Sequence, residues 1–283
     1  MSDTTKLDVS AMIDNLEKLA SISNRVEEGD YIGEDGLLHC GKCHTPKHSR
    51  IVILGMERTP FCLCKCKEEE ENARRKAEEL QQKIYKYKGE AFDDNELLNW
   101  TFANDDGTDP KTMNVAKKYV ENFPKFLKDG KGLLFYGKVG TGKTYAAASI
   151  VNALIEQGYP CRETKFTTIA NELGDNFNKK QEYLNRFKRY ALLVIDDLGV
   201  ERNSEYMKEI VWSVIDSRYL SGLPLIVTSN LSIDEIKKPQ TMADQRIYSR
   251  IIEMCHPVNV DGADRRKKKV RSEYSEISDL LGT

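Results

Sequence analysis

Eight residues, GKVGTGKT from Gly137 to Thr144, constrain this chain more than any other stretch. They match G-x-x-x-x-G-K-[ST] and stand between an apolar run, GLLFYG (Gly132 to Gly137), and a helix-favouring run, Thr144 to Gln157. That is the strand, loop and helix setting the motif requires. Glycines at 137, 140 and 142 let successive backbone N–H groups curl around phosphate oxygens, and the following helix turns its positive end toward the same anion. The expected cradle is Gly137, Lys138, Val139, Gly140, Thr141, Gly142, Lys143, Thr144 and Tyr145. In such a cradle Lys143 reaches the β and γ phosphates of a nucleoside triphosphate, and the Thr144 hydroxyl holds Mg²⁺.

The surrounding pattern alternates. A helix over Met113 to Leu127 precedes the glycine loop; after it come a strand CRETKF, a helix Thr168 to Asn178, strand ALLVIDDL (Ala191 to Leu198), helix Ser204 to Ser221, strand PLIVTSN (Pro224 to Asn230) and a helix from Ile233 onward. Apolar strands separated by helices imply an α/β fold, a parallel sheet covered on both faces. LLVIDDLG ends in Asp196 and Asp197, two carboxylates at the tip of a buried strand, which repel each other unless a cation lies near. Mg²⁺ meets that need: Asp196 binds the ion and Asp197 polarises an attacking water as general base. Asn230, at the tip of the next strand, can orient that water.

With 43 basic and 45 acidic residues the net charge is -2, so no overall field draws the chain to nucleic acid, and any such contact must be local. The first twenty residues lack the basic start and apolar core of a secretory signal, no apolar run is long enough to cross a bilayer, and a cytoplasmic location without membrane contact is expected. Thiols stay reduced in that compartment, so clustered cysteines read as metal ligands rather than disulfides. Five of the seven cysteines fall within residues 40–66, while Cys161 and Cys255 stand alone as small buried hydrophobes. CGKC (Cys40, Cys43) forms a zinc knuckle, and CLCKC (Cys62, Cys64, Cys66) offers three thiols where a tetrahedral site needs two. A segment so poor in apolar residues needs a metal to fold. An amphipathic helix over 8–22 precedes it, a charged helix over Lys67 to Lys88 follows, and RIVIL (Arg50 to Leu54) is its one strand-like run. The expected organisation is an N-terminal helix, zinc module and connecting helix over 1–88, a linker over 89–112 rich in Asp, Asn and Gly, and an ATPase domain with a basic tail over 113–283.

The set GKVGTGKT, LLVIDDLG, VTSN and QRIYSRI resembles AAA+ ATPases, in particular the DnaC/DnaI-type helicase loaders and their IstB-type relatives. The resemblance covers roughly residues 100–270. It implies ATP and Mg²⁺ as ligands, with 137, 196 and 230 as Walker A, Walker B and sensor 1 positions. It implies that Arg250 is an arginine finger acting on a neighbouring subunit's γ phosphate, hence self-association through the ATPase domain; Arg246, one turn earlier, is the alternative. It points to Arg266, then Arg265, as sensor 2, although the run into KKKVR departs from the family pattern, and Arg265 to Arg271 could equally touch nucleic-acid phosphates or be a solvated tail, the commoner fate of such runs. It favours Cys64 and Cys66 over Cys62 as partners of Cys40 and Cys43 on Zn²⁺. It also implies a function: loading a hexameric replicative helicase onto single-stranded DNA, with IstB-like transposition help or a nucleotide-gated adaptor as alternatives.

Overall fold

The computed structural model describes residues 26–173, 180–199, 205–265, 274 and 280–281. It divides into two compact units at Gln81/Gln82. The helix expected over 8–22 lies outside the described residues.

In the smaller unit β1 (Tyr31–Ile32) pairs antiparallel with β2 (Leu38–His39), and β3 (Ile51–Ile53) with β4 (Met56–Arg58). These strands bury little; Leu38, Cys40 and Cys64 are the buried apolar side chains there. A buried ion pair adds a polar tie: Lys47 meets Asp30, whose other oxygen accepts the Gly41 N–H at 3.1 Å. Helix α1 (Lys65–Glu90) starts at the last two cysteines of the cluster, with Glu68 in its first turn and Lys88 in its last, as the helix dipole favours.

The larger unit has a parallel sheet whose described strands are β5 (Gly132–Tyr136), β6 (Cys161–Lys165), β7 (Leu192–Leu198), β8 (Leu225–Ser229) and β9 (Cys255–Asn259), in the order β6-β7-β8-β5-β9. Alternation along β5 sends Leu133 and Phe135 to one apolar cluster and Leu134 to the other, so helices cover both faces. The first cluster receives α2 (Pro110–Glu121) and α4 (Lys143–Glu156); the second receives α5 (Phe166–Leu173), α6 (Lys180–Phe187), α7 (Glu205–Ser221) and α9 (Met242–Met254). The short α3 (Phe123–Asp129) follows α2, and α8 (Ile233–Lys237) follows β8.

Several elements differ from the sequence expectation for physical reasons. The single helix over Met113 to Leu127 is two helices meeting at Asn122, since Pro124 lies in the first turn of α3 and has no N–H to continue the ladder. Strand β9 has a proline at its centre and, among the described strands, pairs with β5 alone, the edge position where a missing donor is tolerated. Residues 89–112, polar enough to suggest a linker, bring Ala91, Phe92 and Leu97 into the core of the larger unit.

Arg218, 2% exposed, closes the base of the sheet: its guanidinium donates to the carbonyls of Phe187, Tyr190, Ala191 and Pro224. Burial lowers its pKa to about 9. Replacing Arg218 by Met removes these donors and leaves the carbonyls without them, so stability should fall by about 3 kcal/mol. The check is a lower urea midpoint with an unchanged slope; a midpoint within error of the parent would refute the role.

Candidate functional site

Strand β5 ends at Tyr136 and the chain then loops through residues 137–142 before α4 begins at Lys143. The loop depends on glycine at specific points. Gly142, the residue before α4, has φ 102°, and a Cβ on Gly140 would lie 1.9 Å from Asp264 Oδ1. The Lys143 ammonium is drawn back over the loop, donating to the carbonyls of Gly137 (3.0 Å) and Lys138 (2.7 Å) and to Asn230 Oδ1 (2.7 Å). Thr141 donates to the Lys138 carbonyl at 3.0 Å, tightening the same turn, and Val139 is half-exposed at its tip.

Asp196 is buried, and its Oδ1 accepts from the Thr144 hydroxyl (2.9 Å) and from Thr228 Oγ1 (2.6 Å). Burial raises its pKa, the charge of Asp197 adds to this, and the two hydroxyls oppose it. A register shift between Ile195 and Leu198 puts Asp197 in the left-handed region (φ 61°), strained for a residue with a Cβ. Its N–H donates to Thr228 Oγ1 at 2.9 Å. The bulge re-aims the second carboxylate, so Asp196 stays inside while Asp197, with a side chain 38% exposed, borders the cavity in front of the glycine loop. Lys165 Nζ lies 3.7 Å from an oxygen of each aspartate. The sequence reading missed it; the signal was its place as the last residue of a strand that pairs Lys165 with Asp196.

The cavity, about 550 Å³, is bordered by Lys143, Thr144, Asp197, Asn230, Trp100 and Arg265. One wall comes from the stretch read as a linker. Asn152 on α4 donates to the carbonyls of Leu97 and Trp100 (2.9 Å each), the Tyr145 hydroxyl to that of Thr101 (2.8 Å), and the Trp100 and Tyr145 rings stack at 5.6 Å. Arg265 donates its N–H to the Gly140 carbonyl (2.9 Å), and its guanidinium lies 3.4 Å from Asp106. Arg266 lies outside the described residues.

Arg250 does not border this cavity. It sits on α9 and pairs with Asp216 of α7 at 2.7 Å; Arg246, a turn earlier, is exposed. The donors suit a magnesium triphosphate: a hydroxyl and a carboxylate side by side, an ammonium over an amide-lined loop, and an amide beside both.

In the smaller unit the Sγ atoms of Cys40, Cys43, Cys64 and Cys66 all lie within 4.8 Å of one another. A tetrahedral zinc thiolate site has sulfur atoms about 3.8 Å apart, which follows from Zn–S bonds of about 2.3 Å. Cys62 turns away, its Sγ 3.6 Å from the Pro46 carbonyl. Thr45 locks the cluster: its hydroxyl lies 3.1 Å from Cys43 Sγ and accepts the Lys65 N–H at 3.0 Å. Hydrogen bonding, first from Thr45, lowers the Cys43 thiol to about 5, while contact with Cys64 pushes Cys66 up to about 12. Four thiols so close cannot all ionise without a cation, and the donor set fits Zn²⁺. Cys161 and Cys255 are buried apart from the cluster, and burial raises both thiols.

The fold and the nucleotide site together define a P-loop ATP-binding protein of the AAA+ class. The chain belongs to the family described as IstB-like ATP binding protein, which matches residues 65–273. It is 31% identical over 186 residues to the replicative helicase loader DnaI of Bacillus subtilis (strain 168), covering 60% of this chain and 60% of that one. It is 31% identical over 145 residues to the replicative helicase loader DnaC of Escherichia coli (strain K12), 49% of this chain and 56% of that one. The matched region thus spans three fifths or less of these relatives' length. A crystal structure of DnaI superposes with a TM-score of 0.52 at 25% identity, covering 62% of this chain and 96% of that one. No helix among the described residues is long and apolar enough to cross a membrane.

Glu163 on β6 is buried, with Oε1 lacking a hydrogen bond; burial first, then the charges of Asp196 and Asp93, raise its pKa to about 8. It therefore keeps a proton in the fold that an unfolded glutamate loses above about 4.5, and stability falls as pH rises from about 4.5 through about 8. Glu163→Gln should flatten that slope, becoming more stable than the parent above pH 8 but not at pH 5; parallel melting-temperature profiles would contradict this.

Proposed function

We propose that this chain is an ATP-hydrolysing loader that delivers a hexameric replicative helicase to single-stranded DNA. The observation that carries the reading is the presence, in one chain, of a four-thiol unit and a phosphate-loop site whose finger candidates on α9, Arg250 and Arg246, both lie outside its own cavity. Magnesium ATP, when bound, supplies the reactive phosphoanhydride. Lys143 and the loop amides bind the phosphates, while Thr144 and Asp196 hold the metal. Asp197, re-aimed by the bulge, accepts the proton of the attacking water, and Asn230 orients that water. Arg265, beside Gly140, is the described candidate for contact with the nucleotide from the C-terminal side. Arg250 acts on the site of a second copy, so turnover depends on self-association.

Cys40, Cys43, Cys64 and Cys66 hold Zn²⁺, which fixes a unit too small to fold by burial and makes it a rigid surface for the helicase. The family description favours a second reading, a transposition helper of the IstB kind. Capture from a host lysate on the immobilised full chain with ATP separates them: a hexameric helicase in the eluate supports the first, a transposase the second.

Arg250→Ala should lower ATP turnover per protomer roughly a hundredfold or more at self-associating concentrations while ATP affinity stays near the parent's. Metal analysis should find zinc in the purified chain, and Cys40→Ser should lose it together with helicase capture. Because only thiolates ligate, zinc should be released as pH falls and never as it rises from 7 to 8; a zinc-free, fully active preparation would contradict the assignment.

A further inference from the structure

Helices α7 and α9 pack against each other, and Arg250 lies half-buried at the seam between them. Its guanidinium carbon lies 3.9 Å from the centre of the Trp212 ring and 5.2 Å from that of Tyr219. Nη2 lies 2.7 Å from Asp216 Oδ1. Trp212 and Asp216 are one turn apart on α7, so one face of that helix presents both to the same side chain. Asp216 Oδ1 is shielded from water yet has no aligned hydrogen bond, so charge holds the pair rather than a directed N–H contact. The two side chains remain 25% and 27% exposed, and an open groove of about 810 Å³ runs past Trp212, Asp216 and Leu220.

The two attractions engage different parts of the guanidinium. An aromatic face grips its flat side and leaves the N–H edge available to an anion. Asp216 takes that edge here, and a phosphate fits the same fork of donors. We infer that Trp212 and Asp216 are positioning residues with opposite effects on turnover. Trp212 is a platform that holds Arg250 at the protomer's surface, ready for a neighbouring copy's triphosphate. Asp216 is an internal stand-in for that phosphate, and Arg250 must leave it before acting. The exchange makes and breaks no covalent bond: the N–H edge passes from carboxylate to phosphate. This inference rests on the proposal that Arg250 works across protomers and adds that assembly is held back by a competing anion built into the same subunit.

The test is ATP turnover per protomer, titrated against protein concentration for the full chain. Asp216→Asn should reach half-maximal turnover at roughly three- to tenfold lower protein concentration, because the competing charge is gone. Trp212→Leu should lower maximal turnover roughly tenfold with ATP affinity unchanged, and Trp212→Phe, which keeps a ring face, should recover most of it. Thermal melts confirm that each variant folds; if Trp212→Leu does not, the Asp216→Asn and Trp212→Phe results decide. A purely structural pair would move Asp216→Asn and Trp212→Leu in the same direction, downward, and that outcome overturns the inference. If Arg250→Ala leaves turnover at the parent level, the trans-acting arginine itself fails. If Arg250→Ala abolishes turnover but Asp216→Asn leaves the half-maximal concentration unchanged, the inference alone fails.

Discussion

Thr144 and Thr228 donate to the same oxygen of Asp196, and through that shared acceptor the first turn of α4, the tip of β7 and the end of β8 are fixed to one another. Other groups at the nucleotide site hang on the same junction. Thr228 also accepts the N–H of Asp197, which holds the strained backbone that re-aims the second carboxylate. Asn230 follows two residues later and meets Lys143. A carboxylate buried this deeply is tolerable because two hydroxyls and a nearby ammonium compensate its lost hydration. Removing either hydroxyl would leave the fold's most buried site charge under-satisfied.

Much of this was legible in the sequence because the chemistry is local. The glycine spacing, the lysine and threonine after it, and an aspartate pair ending an apolar strand each encode their own geometry within a few residues. The sheet was legible too, since strands buried on both faces read as unbroken apolar runs. What escaped is what long-range packing decides. Residues 95–104 look like a loop by composition, and only Asn152 and Tyr145, far along the chain, turn them into a cavity wall. Lys165 and Arg218 belong to no motif; one is placed by strand register, the other by carbonyls from two separate stretches, 187–191 and 224. Strand β9 hides behind its proline.

The cysteines illustrate an intermediate case. Spacing alone suggested a four-ligand site and left three candidates for two positions. The choice follows from direction: Cys64 and Cys66 meet the knuckle where α1 begins, while Cys62 faces the Pro46 carbonyl. Alternate residues of an extended run share one side only while the run stays extended, and the helix start at Lys65 breaks that register between Cys64 and Cys66.

The proline in β9 has a further consequence. Val260, at the end of that strand, directs its N–H toward β5, bonding Tyr136 O at 2.8 Å, so by alternation position 257 turns its nitrogen to the sheet's open margin. A pyrrolidine there denies a would-be intruder strand one of the bonds it needs, which discourages edge-to-edge polymerisation of copies. Any contact between copies would thereby fall on side-chain surfaces, where geometry can be selective, rather than on indiscriminate backbone zippering.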